Sequence, residues 1–84
     1  MEIVNNTKDD ATVRVSGGGS GMVKGEVANL SLPAGGSVSH TPKPPGPWMV
    51  DFYVGKHQTR RTVHSATDKV TLNREGNNGF RADG

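Results

Sequence analysis

The chain has 84 residues, of which 31% are hydrophobic, twelve are glycine, five are proline and none is cysteine, and its formal net charge is +2. A chain of this length holds one domain with one core, and the lack of cysteine excludes a disulfide framework, a zinc–thiolate centre and thiol catalysis. No apolar run approaches the roughly 18 residues of a membrane-spanning helix, and so small a net charge is far from that of a nucleic-acid-binding tail.

Valine supplies ten residues and leucine three, and seven threonines add to the β-branched bias, which favours strands over helices. Glu2–Val4 reads as a short strand that stops at Asn5-Asn6-Thr7-Lys8-Asp9-Asp10, where Asn and Asp side chains bond the nearby backbone and stabilise turns. Ala11–Ser16 alternates strictly, with Ala11, Val13 and Val15 on one face, the period-2 signature of a half-buried strand. The two strands with their loop suggest an opening hairpin. Gly17–Gly21 is a flexible glycine-rich loop, Met22–Val27 a weak strand, and Asn29–Leu32 a stronger one with Leu30 and Leu32 on one face.

Pro33-Ala34-Gly35-Gly36 suits a tight turn, because proline presets its own φ and glycine accepts a positive one. Ser37–His40 resumes an extended chain, and residues 41–47 hold four prolines, so this loop is neither helix nor central strand. Trp48–Val54 has the strongest strand pattern: Trp48, Val50, Phe52 and Val54 share the face expected to centre the core, while Met49, Asp51 and Tyr53 share the other. Gly55-Lys56 fits a two-residue hairpin turn, with His57–His64 returning. A two-residue loop pairs Asp51 with Arg60 and a three-residue loop pairs it with Arg61; the sequence leaves both registers open. Lys69–Leu72 places Val70 and Leu72 inward, Asn73–Gly79 is rich in turn residues, and Phe80 anchors a last short strand. Seven or eight short strands at about 8–12-residue spacing, with no helical pattern, predict an all-β fold: one antiparallel β-sandwich, Ig-like or Greek-key, spanning residues 1–84. Self-association is one way for so small a domain to gain burial.

Motifs for chemistry are weak. Lys24 is followed by Gly25 rather than Ser or Thr, and Met22 stands where a dinucleotide-binding pattern needs glycine, so the glycine-rich stretch is neither kind of phosphate loop. His57 and His64 lie an odd number of residues apart, which points them to opposite faces of a strand, and the spacing suggests no third metal ligand. There is no spaced nucleophile–base–orienter set. The expectation is therefore a protein that is not an enzyme and uses no cofactor. The N-terminus has neither basic flank nor apolar core of a secretory signal, predicting cytoplasmic synthesis, with release by another route left open.

The stretch from Lys56 to His64 holds Lys56, Arg60, Arg61 and two histidines directly after a strand containing Trp48 and Tyr53. Basic groups beside aromatics bind phosphates, acidic headgroups or sugars; alternatively they keep an edge strand soluble and unpaired. Trp48, Tyr53, Lys56, His57, Arg60 and Arg61 are the candidate ligand-binding residues. Trp48 has a second reading, as a plug at one end of the core. Arg61 stands two residues from Val63, so a strand that turns Val63 inward turns Arg61 inward as well. It must then leave at an edge, meet an acid, or lie on a bulge.

The opening pattern, Ile3-Val4-Asn5-Asn6-Thr7 followed by the alternating Ala11–Val15 strand, resembles the start of small microbial β-sandwich proteins, the aegerolysins and some small bacterial insecticidal proteins. The turn at Gly35-Gly36, the apolar strand Trp48–Val54 and the Lys69-Val70 strand follow in a similar order. The resemblance implies a non-enzymatic, surface-binding, toxin-like role. The leading expectation is thus a binding protein that recognises an anionic lipid or glycan surface, as a homo-oligomer or alone. The alternative is an intracellular protein-partner module, an inhibitor or immunity protein, that docks through a sheet edge or the glycine-rich loop. Nucleic acid ranks below both, because no basic motif with interleaved aromatics is present.

Overall fold

The computed structural model describes residues 1–17, 27–41, 46–65, 67–77 and 79–84. Eight strands form: β1 (Glu2–Asn5), β2 (Ala11–Gly17), β3 (Val27–Leu32), β4 (Ser37–Ser39), β5 (Trp48–Val54), β6 (His57–Val63), β7 (Lys69–Glu75) and β8 (Gly79–Asp83). One sheet runs β4-β1-β7-β8 and the other β3-β2-β5-β6, and there is no helix among the described residues. The β-branched composition and turn spacing thus lead to the expected all-β sandwich. The expected strand Met22–Val27 and loop Gly17–Gly21 lie outside the described residues, except for Val27, which opens β3, and Gly17, which ends β2. Of the proline-rich loop, residues 42–45 lie outside them, and the Gly46–Pro47 peptide is cis.

One expectation needs correction. The opening strands do not form a hairpin: β1 belongs to one sheet and β2 to the other. Within the predominantly antiparallel sandwich, β1 pairs parallel to β7, with Ile3 beside Val70 and Asn5 beside Leu72. The physical reason lies in Asn5, which is fully buried. Its amide nitrogen donates to the carbonyls of Asp9 (2.8 Å) and Leu32 (3.1 Å), and its amide oxygen accepts from the Thr7 backbone N–H (3.0 Å) and hydroxyl (2.6 Å). Leu32 ends β3 in the opposite sheet, so this one side chain spans the two layers. The Asn6 N–H donates to the Leu72 carbonyl at 2.9 Å, holding the chain to β7 as it leaves β1. Crossing the layers sets Ile3 opposite the β2 valines with core between them, where a hairpin would set them side by side.

The core gathers Ile3, Val13, Val15, Leu32, Trp48, Val50, Phe52, Val63, Val70 and Leu72 from both sheets. Each is an inward position of its strand, as the period of two requires. Complete burial of a side chain of this size stabilises the fold by about 1.5–3 kcal/mol. Ile3, Val13, Leu32, Val50, Phe52, Val70 and Leu72 are fully buried, so the centre of the molecule lies between β1 and β7 of one sheet and β2, β5 and the end of β3 of the other. At the Pro33–Gly36 turn, Gly35 has a φ of +71° and the Gly36 N–H donates to the Pro33 carbonyl at 2.9 Å. Glycine takes that conformation without a Cβ clash.

Replacing Asn5 by Ala leaves the Thr7 N–H and the Leu32 carbonyl without a buried partner. We expect Asn5→Ala to lower unfolding free energy by about 2–4 kcal/mol. Asn6→Ala, which loses only an exposed bond to Asn73, should stay within about 0.5 kcal/mol of the native chain. Urea denaturation of both variants checks this; equal losses would show that the Asn5 network does not hold the layers together.

Candidate functional site

The register of the β5–β6 hairpin decides where the basic residues go. Val54 pairs with His57 and Asp51 with Arg60, so of the two registers open in the sequence the chain adopts the two-residue turn. Gly55 has a φ of +57° and Lys56 no positive φ, the sign pattern of a type II′ turn, which suits strand twist. His57, Thr59, Arg61 and Val63 consequently share the core side of β6, while Gln58, Arg60 and Thr62 share the outer face with Tyr53, Asp51 and Met49.

This alternation separates the six candidate residues into three places. Trp48 is 6% exposed and belongs to the core, with the Gly46 backbone lying against its ring. It stands at the far end of β5 from the hairpin turn, about 20 Å away at the usual strand rise. It thus occupies the place of a core plug. Tyr53 and Arg60 lie on the outer face. Asp51 there is 3% exposed, and its Oδ1 accepts from the Arg60 Nε at 2.7 Å. The Asp51 hydrogen bond, and then its charge, raises the Arg60 pKa above its ordinary value. Arg60 is therefore committed to the hairpin. Arg61 opposes Val50 on the core side but leaves at the sheet edge, where its Nη1 donates to the Ala82 carbonyl of β8 at 3.3 Å.

Lys56 and His57 remain, and the fold brings them together with residues the sequence did not single out. They line a cleft of about 490 Å³ with Asp9, Asp10, Arg74, Asn77 and Phe80. The cleft is the open end of the space between the sheets: Val54 ends the core row of β5, and His57, Arg74 and Phe80 stand on inward-facing rows at the same end. The His57 ring meets the Phe80 ring edge-on at 5.5 Å, and the Arg74 guanidinium lies 5.8 Å from the Phe80 ring centre. Arg74 also donates to Asn77 O (2.6 Å) and to Asp9 Oδ2 (3.4 Å). Asp10 Oδ1 accepts from the Ala34 N–H at 3.0 Å, leaving its other oxygen free of any protein bond among the described residues. Three loops, after β1, β5 and β7, and the adjoining ends of β6, β7 and β8 thus present acceptors, donors and the Phe80 ring around an open hollow. The turn character of Asp9-Asp10 and of Gly55-Lys56 was visible in the sequence, whereas the turn-rich stretch read at Asn73–Gly79 is shorter in the fold, because β7 runs to Glu75 and β8 starts at Gly79; that these turns meet was not visible.

No group of three or more His, Cys, Asp or Glu side chains among the described residues is placed to hold a metal ion. A scan against protein-family models finds no match for the chain, and searches of curated proteins and of solved structures find none either. The site is therefore read from its own geometry.

Removing Arg60 leaves a nearly buried carboxylate without its ion-pair partner and with a long bond from the Gln58 amide at 3.5 Å, whereas in an Asp51→Asn background the same removal leaves only an amide. Arg60→Ala should accordingly lower the melting temperature more in the native chain than in the Asp51→Asn variant. Thermal melts of the two single variants and the double variant measure this coupling, and equal losses in both backgrounds would mean that the pair does not hold the hairpin.

Proposed function

We propose that the protein is a non-enzymatic binding protein whose ligand is a glycan, held in the cleft between Asp9, Asp10, Lys56, His57, Asn77 and Phe80. The observation that carries this reading is the cleft's mixture of side chains. A sugar ring offers hydroxyls that both donate and accept, together with apolar C–H faces. Carboxylates accept its hydroxyl protons, ammonium, imidazole and amide groups donate to its oxygens, and an aromatic ring packs against the C–H faces. A volume of about 490 Å³ falls within the range usual for small-ligand sites, roughly 300–1,000 Å³.

Between a glycan and a lipid surface, exposure favours the glycan. Membrane binding of a small protein draws on apolar area pushed into the headgroup boundary. Among the described residues the only exposed large hydrophobic side chain is Met49, at 42%, and it sits on the outer sheet face away from the cleft; Trp48 is in the core. A second reading, a protein partner that adds a strand to β6, also has support. β6 is an edge strand of seven residues whose pairing with β5 runs without a break, and edges of that kind accept a further strand.

A panel of immobilised neutral and acidic oligosaccharides tests the reading. The native chain should bind a subset, and the double variant Asp9→Ala/His57→Ala should bind about tenfold more weakly, as expected for losing one or two ligand hydrogen bonds, with an unchanged melting temperature. Failure to bind any oligosaccharide, together with a stable complex recovered through β6, would replace the glycan by a protein.

A further inference from the structure

A second cleft, of about 300 Å³, opens where the other end of β6 meets β7, and Arg61, His64, Asp68, Lys69 and Gly84 line it. It differs in chemistry from the first. Arg61, His64 and Lys69 come from β6, the loop after it and β7, so three separated segments bring basic groups to one hollow. The Arg61 guanidinium lies against Gly84 and gives one N–H to the Ala82 carbonyl at 3.3 Å; its planar fork matches an oxyanion two donors at a time. Two acids adjoin. Asp68 caps its own turn, Oδ2 accepting from the Ser65 N–H at 3.3 Å. Glu2 meets Lys69 at 3.7 Å, with both side chains more than half exposed, and an exposed pair of this kind holds its partner weakly. Lys69 is thus able to turn towards a stronger anion.

We infer that the glycan is acidic, and that this second cleft holds one of its sulfate or carboxylate groups while the first cleft holds a sugar ring. The inference rests on the glycan reading of the first cleft and extends it. His57 and Arg61 lie on the same face of β6, about 13 Å apart at the usual strand rise, so a ligand that touches both clefts is an oligosaccharide rather than a single sugar. The lining charges differ accordingly: Asp9 and Asp10 offset Lys56 and Arg74 in the first cleft, whereas Arg61 and Lys69 face the single lining acid Asp68 in the second. The inward position of Arg61, awkward for a core, then places its guanidinium where β6 and β8 approach each other.

The test is calorimetric titration with a sulfated oligosaccharide, with the same oligosaccharide after desulfation, and with vesicles of an anionic phospholipid. The sulfated form should bind about tenfold or more tightly than the desulfated form, as one charge-assisted contact supplies, and added salt should erode the difference. The double variant Arg61→Gln/Lys69→Gln should remove that preference and still bind the desulfated form as the native chain does. Equal binding of both forms to the native chain would overturn the inference and leave the glycan reading standing. Binding of the vesicles without either oligosaccharide would overturn both.

Discussion

The buried amide of Asn5 joins the two sheets, and the rest of the fold follows from where it sends the chain. Its nitrogen bonds carbonyls of Asp9 and Leu32 and its oxygen bonds two groups of Thr7, so the turn after β1 is tied to the end of β3. A buried amide of this kind is stabilising only while its partners are in place, which makes it a strong constraint on geometry. Because the turn crosses between layers, β1 becomes free to lie parallel to β7 and antiparallel to β4, and Asp9 and Asp10 are carried to the end of the sandwich where the β5–β6 and β7–β8 turns also lie.

That end and the adjoining β6–β8 side are where the sandwich is least well closed. The core-facing positions of β6 are His57, Thr59, Arg61 and Val63, of which only Val63 is buried. Opposite them Phe80 and Ala82 of β8 are partly buried and pack against the core. Side chains of this polarity do not seal an interior, so both clefts open along this one side. The two opposite properties of the molecule thus come from different strands: the packed centre from the apolar rows of β1, β2, β5 and β7, and the polar flank from the core-facing row of β6. The hairpin that carries His57 and Arg61 on this side is braced on its outer face by the Asp51–Arg60 pair.

The basic stretch after Trp48–Val54 was legible as chemistry but not as a site. Alternation along one strand is enough to say that Arg60 and Arg61 point to opposite faces. It does not say that Arg60 finds Asp51 beside it, nor that Arg61 escapes to the Ala82 carbonyl, because the first depends on the turn register and the second on a strand of the other sheet. Likewise Arg74 and Phe80 are ordinary members of a hairpin until His57 and Asp9 arrive from elsewhere in the chain.

By itself the sequence determined the fold class, the inward rows of β2, β5 and β7, and the turns at Gly35 and Gly55, since these rest on local properties: period-2 alternation, β-branched content and the φ that glycine alone accepts freely. Only the tertiary structure decided that β1 and β2 part into different sheets, that β1 runs parallel to β7, and that loops far apart in the chain share one cleft. Each of these turns on which strand lies beside which. Several pairings bury the same apolar faces equally well, and the choice among them is made by contacts between residues distant in sequence, here by the reach of the Asn5 amide from β1 to the last carbonyl of β3.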